Sequence, residues 1–365
     1  MKLRAARDVL LKPLQAVIGV VERRQTMPIL SNVLLVARDG ELAVTATDLE
    51  VELVAQAEVT VESEGEITVS GRKLLDICRA LPEGANIDIS VSGEKLVIRS
   101  GRSKFSLATL PAAEFPTIED IKAEQTITVE QKMLSQLIEK THFSMAQQDV
   151  RYYLNGMLLE TSGNQLRAVA TDGHRLALCE IKIEGASFED QQVIVPRKGV
   201  LELQRLMDGK GSLNIELGSN HVRIQLEGIR FTSKLIDGRF PEYDRVIPKE
   251  TSNELTADKE ALRGALQRTA ILSNEKYRGI RLIIRDREIV IQAHNPEQEE
   301  AEEELEVSYS GEDIEIGFNV NYLLDALGAI EGDVVTLSVL DSNSSCLIRQ
   351  PGNENSKFVV MPMRL

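Results

Sequence analysis

The stretch "TDGHRL", residues 171–176, sets an aspartate two residues before a histidine and three before an arginine. Asp172 and His174 have the composition of an acid–base pair for hydrolysis, with a glycine and Arg175 beside them. Such chemistry needs further parts, and each has a sequence form. There is no G-x-S-x-G, no H-E-x-x-H and no Walker-type glycine loop. His142, His174, His221 and His294 are scattered without metal-ligand spacing. The sequence thus points to no catalytic residue, no metal and no cofactor. A hydrolase using His174 and Asp172 stays as one reading, a turn-building segment as the other.

The elements around the motif bear on that choice. Three stretches share one plan: "LSNVLLVARDGELAVTATDLEVEL", "YLNGMLLETSGNQLRAVATDGHRLAL" and "YRGIRLIIRDREIVIQAHNPEQEEAEE". Each reads as a strand, a polar turn, an alternating strand, a second turn and a further strand. The alternating strand carries Leu42, Val44 and Ala46, then Leu166, Ala168 and Ala170, then Ile289, Ile291 and Ala293. Asp48, Asp172 and Asn295 fall at the second turn, about 124 residues apart. A turn residue that recurs as Asp or Asn bonds its own backbone, which favours a structural Asp172.

Helical patterns flank every unit, at 7–21, 72–80, 130–142, 197–206, 259–272 and 320–330, each with one apolar stripe. "AEFP" (113–116) and "GRFP" (238–241) close the first two units. The expectation is an α+β protein of three repeated domains, 1–120, 127–247 and 253–365, each with two helices packed on antiparallel sheet.

Net charge is −15, which argues against wrapping nucleic acid by bulk attraction. The six helical segments run the other way, with thirteen Lys/Arg against seven acids. Either these are ordinary solvated faces, or the helices share a surface that meets a polyanion. No zinc spacing, helix-turn-helix or aromatic RNA-binding pattern accompanies them, and there is no Trp. DNA contact would then be with phosphates and blind to sequence. A hydrophobic content of 42% with 27% charged residues is that of a soluble globular chain, and no apolar run is long enough for a membrane span. "MKLRAARDVLLKPLQ" makes a poor signal peptide. Cys78, Cys179 and Cys346, far apart and odd in number, fit reduced thiols of a cytoplasmic protein.

Several stretches are longer than chance supplies: "DVRYYLNGML", "ATDGHRLA", "VIVPRKGV", "FTSKLIDGRFP", "AILSNEK", "NPEQEEAEE" and "VVMPMRL". They closely resemble the bacterial DNA polymerase III β subunits, the replicative sliding clamps, essentially end to end. "RAARD" (4–8) and "RQPGNENSK" (349–357) depart from that pattern. The resemblance implies a DNA clamp fold in a homodimeric ring, helices lining the hole and sheets outside, and a processivity factor rather than an enzyme. It implies double-stranded DNA, encircled without sequence preference, as one partner. The others would be the replicative polymerase, clamp-loader subunits and other polymerases or repair proteins, docking through a short linear motif. No membrane is involved.

The resemblance marks Arg24, Gln148, Tyr152, Tyr153, Arg197 and Lys198 as DNA-facing. It marks a peptide pocket at Leu154, Thr171, Gly173, His174, Arg175, Leu176, Pro241, Val246, Val359, Val360, Met361, Pro362, Met363 and Arg364. Read alone, apolar "VVMPM" is better explained as a buried last strand, and the resemblance reverses that preference. With the pocket, Met363→Ala or loss of the last five residues is expected to weaken peptide binding.

In the repeat, the strand after each turn motif should lie beside a late strand of the next domain, 49–56 with 231–236 and 174–181 with 356–362. The third such junction must join two chains. Glu299, Glu300, Glu302 and Glu303 of "PEQEEAEEELE" would face Arg102 and Lys104 of a partner, and Ile271 and Leu272 would pack on its Phe105 and Leu107. The alternative is that the glutamates only block an exposed sheet edge. A three-repeat scaffold that never meets nucleic acid also remains open.

Overall fold

The computed structural model describes residues 1–21, 27–118, 121–248 and 253–364. Six α-helices form among them where the apolar spacing asks for them: α1 (Arg7–Val17), α2 (Gly71–Ala80), α3 (Gln131–Glu139), α4 (Arg197–Leu206), α5 (Lys259–Ala270) and α6 (Val320–Ala329). Side-chain oxygens of Ser70, Asp258 and Asn319 accept from the amides of Lys73, Ala261 and Asn321, at 3.4, 2.7 and 2.9 Å. These caps satisfy amides that the first turn leaves without partners.

Three helices stop earlier than their apolar pattern. α1 tightens into a 3-10 turn at Ile18–Val20, and α5 ends in i→i+3 bonds from Ile271, Leu272 and Ser273. α3 stops before Thr141, whose hydroxyl donates back to the Leu137 carbonyl at 2.6 Å. Tighter turns and a hydroxyl thus take up the last carbonyls. Each stripe is buried: Leu10, Leu14 and Val17 on α1, Leu74 and Cys78 on α2, Leu262 and Leu266 on α5, Leu323 and Leu327 on α6. Each fully buried leucine contributes roughly 1.5–3 kcal/mol.

The chain divides into two compact units, Met1–Lys132 with Leu201–Leu235, and Met133–Val200 with Ile236–Leu365. The first contains one thirteen-stranded sheet, the second an eight-stranded and a four-stranded sheet, and every named pairing is antiparallel. The second repeat supplies strands to both units, because strand pairing crosses the repeat boundaries. In the first unit Val51–Glu58 meets Ile229–Lys234, from Val51↔Ser233 to Ala55↔Ile229. In the second unit Arg175–Lys182 meets Ser356–Val360, from Arg175↔Val360 to Cys179↔Ser356. Both expected junctions within the chain therefore occur.

Phe231 and Phe358 on the late strands are fully buried. Cys78, Cys179 and Cys346 are buried free thiols. Burial pushes Cys78 up to about 11 and Cys346 up to about 12, so neither forms a reactive thiolate near neutral pH.

Candidate functional site

The turn at 171–176 is built from its own side chains. Asp172 Oδ1 accepts the amides of His174 at 2.9 Å and Arg175 at 3.0 Å, and Oδ2 accepts Arg175 Nε at 3.1 Å. The first repeat has the same construction, Asp48 Oδ1 accepting from Glu50 at 2.9 Å and Val51 at 2.7 Å. In the third, Asn295 Oδ1 accepts from Glu299 at 2.9 Å. Thr171 and Thr47 hydroxyls donate to carbonyls four residues on, at 2.6 and 2.9 Å. The residue between is left-handed in both, Gly173 at φ 87° and Leu49 at φ 77°. Asp172 is thus committed to the turn, and the His174 ring is exposed. No acid–base geometry remains.

Beside this turn lies a cavity of about 210 Å³. Of the expected pocket residues, Leu154, Thr171, Gly173, Arg175, Leu176, Pro241, Val246, Val359 and Met361 line it. Arg151, Tyr153, Glu242 and Tyr243 line it as well, unforeseen from the sequence in that role. His174, Val360, Pro362, Met363 and Arg364 do not. Strand alternation separates Val359, packed with Leu158, Leu176 and Tyr243, from Val360, packed in the core with Phe318 and Phe358. His174 contributes its carbonyl, which accepts the Met361 amide at 2.9 Å, while the Met363 amide donates to Gly317.

Polar groups fix the cavity walls. The Tyr243 hydroxyl donates to Glu160 at 2.8 Å and accepts from Arg167 at 2.7 Å; Arg167 also grips Glu180 at 2.8 and 2.9 Å. Burial, reinforced by the bond to Glu160, raises the Tyr243 hydroxyl above the ordinary tyrosine range. Arg175 forms an ion pair with Asp325 at 2.5 Å and lies over the rings of Tyr322 at 4.5 Å and Phe143 at 5.8 Å. Arg151 clasps Asp149 through Nε at 3.0 Å and Nη2 at 2.9 Å, and donates to the Asp172 carbonyl at 3.2 Å. The bonds from Arg151 hold the Asp149 carboxyl down at about 2.

Of the residues expected to face DNA, Arg24 lies outside the described residues. Gln148 and Tyr152 are exposed on the loop between α3 and the next strand. Tyr153 instead lines the cavity, its ring edge-on to Tyr152 with centroids 5.8 Å apart. Arg197 and Lys198 open α4, and Arg197 ties that helix to the loop through the Met145 carbonyl at 3.3 Å.

The expected interface residues lie on two strands and a helix end. Among the described residues, Glu300–Glu306 is the last strand of its sheet and pairs only with Glu288–His294. Ser103–Leu110 pairs fully with Lys95–Ser100, but meets Gly65–Ser70 only at Thr109 and Leu110. Arg102 and Lys104 are exposed, Phe105 and Leu107 half-buried. Ile271 is 74% exposed and Leu272 half-buried. Glu303 is already bound within the chain, by Arg268 at 2.6 and 2.9 Å, and Glu302 accepts from Gln292. Glu299 bonds back to Asn295, leaving Glu300 at the head of the strand.

Models of the three domains of the DNA polymerase III beta subunit match the chain in order, the N-terminal domain over residues 1–119, the central over 128–242 and the C-terminal over 244–364. The chain belongs to the DNA polymerase III beta subunit family. A beta sliding clamp of Pseudomonas putida is 58% identical over 361 residues, 98% of each chain. One from Escherichia coli is 53% identical over 367 residues, covering both chains completely. The crystal structure of a DnaN sliding clamp from Pseudomonas aeruginosa bound to griselimycin is 54% identical and superposes over the whole of both chains with a TM-score of 0.97. Caulobacter crescentus pol III beta, at 40% identity, gives 0.95, again over the whole of both. The fold is the three-domain DNA clamp of that family, and the function is that of a processivity clamp in DNA replication.

Proposed function

We propose that two copies join head to tail into a ring around duplex DNA, and that the cavity beside residues 171–176 docks a short peptide of the polymerase and of other replication and repair proteins. The observation that carries the ring is one sheet-edge strand and one inner strand whose second side, among the described residues, is paired only at Thr109 and Leu110. Inside the chain, the strand after the turn motif twice pairs with the late strand of the following repeat. The third copy of that strand, Glu300–Glu306, and the first late strand, Ser103–Leu110, are the two left without this partner.

A processivity factor must stay on DNA yet slide. Strong phosphate contacts would hold it in place, whereas closure retains it with weak, screened ones. A modest surplus of cations on the helices, with Gln148, Tyr152, Arg197 and Lys198 as contacts, suits that task. The largely apolar cavity suits an aliphatic or aromatic anchor, with Arg175 and Thr171 for polar ends. Methionine at 361 can repack around related peptides. In this reading the protein performs no chemistry of its own, works in the cytoplasm on DNA, and is opened by an external loader. Domain boundaries near 120–127 and 247–253 fall in the polar linkers.

Retention on DNA tests the ring. The protein should remain on closed circular DNA through a salt wash and leave when one cut gives the duplex free ends. Equal loss from both forms would replace topological closure with ordinary binding.

A further inference from the structure

Arg205 on α4 closes the carboxyl end of a helix from the preceding repeat. Its Nη1 donates to the Gln15 carbonyl at 3.1 Å and its Nη2 to the Ala16 carbonyl at 2.5 Å, in the last turn of α1. Glu202 steadies the guanidinium at 2.9 and 3.0 Å, and its carboxylate fills the space where a Cβ on Gly19 would stand. A cation here meets carbonyls that have few helical partners and the negative end of the helix dipole.

The same parts recur, apart from one another, at the open ends of the chain. Ser70 pairs with Asn32 as Pro196 pairs with Gly156, and each immediately precedes its helix. Position by position, Asp76 on α2 then matches Glu202, and Arg79 matches Arg205. Leu74 and Val200 are buried at matching positions, which supports the alignment. Ala6 and Asp258 likewise precede α1 and α5, so Gln267, Arg268 and Ile271 match Gln15, Ala16 and Gly19. Asp76 and Arg79 are exposed, and among the described residues the Arg79 guanidinium has no partner in its own chain. At the other end, Arg268's own charge is engaged by Glu303, and Ile271 is 74% exposed.

We propose that Arg79 of one copy caps the carboxyl end of α5 of a second copy, donating to the carbonyls of Gln267 and Arg268. Asp76 orients the guanidinium as Glu202 does for Arg205, and Ile271 packs against the pair. This rests on the head-to-tail reading above, and adds to the strand edges a second contact at the helix ends. The partner it requires is another copy of this chain.

Analytical ultracentrifugation of the full chain tests it. Arg79→Gln should raise the dimer dissociation constant roughly tenfold to a hundredfold, the range for losing hydrogen bonds from a charged donor. Arg79→Lys, able to reach one carbonyl, should restore part of that loss. Unfolding of Arg79→Gln at concentrations where it is monomeric should match monomeric wild type, because the side chain has no described partner within its own chain. A dissociation constant within twofold of wild type overturns the cap. So does a monomer destabilised enough to account for the lost dimer. Wild type that is monomeric at every concentration would instead overturn the ring itself.

Discussion

The guanidinium of Arg151 lies over Gly173, so close that a Cβ there would stand 2.9 Å from Nη1. Gly173 is also left-handed, at φ 87°. Gly173→Ala must therefore both strain the backbone and displace the arm that ties the 149–153 loop to the turn. We expect a loss of about 1–3 kcal/mol in stability. Urea denaturation measures it, and an unchanged midpoint would mean that the turn relaxes freely.

Met361 lines the cavity and Met363 does not, so the two methionines should respond differently to truncation. Met361→Ala should weaken binding of a polymerase tail peptide by about 1–2 kcal/mol, a typical cost for truncating an interface anchor. Met363→Ala should change it less than about twofold. Fluorescence polarisation with a labelled peptide separates them, and the opposite order would put the peptide elsewhere.

Asp149 titrates at about 2, below its ordinary 3.8, because Arg151 stabilises the charged form. A depressed carboxylate contributes stability that is complete above its unfolded value and is lost as pH falls through its folded one. The clasp should stay closed well below about pH 4 and be half released only near pH 2. Carboxyl carbon NMR of Asp149 follows this directly. In Asp149→Asn the Arg151 resonances should show no corresponding step.

If Ser103–Leu110 meets Glu300–Glu306 of a second copy, Lys104→Glu places like charges along the junction. The dimer dissociation constant should rise at least about tenfold, as desolvated like-charge contacts cost several kcal/mol. Raising salt from about 0.1 to 0.5 M should weaken the wild-type dimer, since exposed pairs are screened. Sedimentation showing neither effect leaves the glutamates as guards of a bare sheet edge.

What could be read from the sequence follows from where the determinants sit. The turns at Asp48, Asp172 and Asn295 were legible because an Asx turn needs a particular side chain next to its own backbone. The helices and the strand alternation were legible because burial imposes a period. The junctions between repeats followed from that order. The cavity was only partly legible, and only through family resemblance, because its walls converge from distant segments. Tyr243 is held there by Glu160 and Arg167, and nothing in local spacing announces a bond across 76 or 83 positions. Register did carry one missed signal: alternation places Val359 and Met361 on one side of the last strand and Val360 on the other. The grip of Arg268 on Glu303 was illegible for the same reason as Tyr243, so Glu303 looked available to a partner when its own chain already holds it.

Leu49 occupies in the first repeat the left-handed position that glycine occupies in the second, with its side chain 39% exposed. A leucine there is held against its preference by Thr47, Asp48 and the strand pairing that begins at Val51. Those side-chain bonds close inside the turn and end on Val51, the first rung opposite Ser233. The first repeat therefore carries a standing backbone cost that the second avoids with glycine, and a glycine at 49 would relieve it.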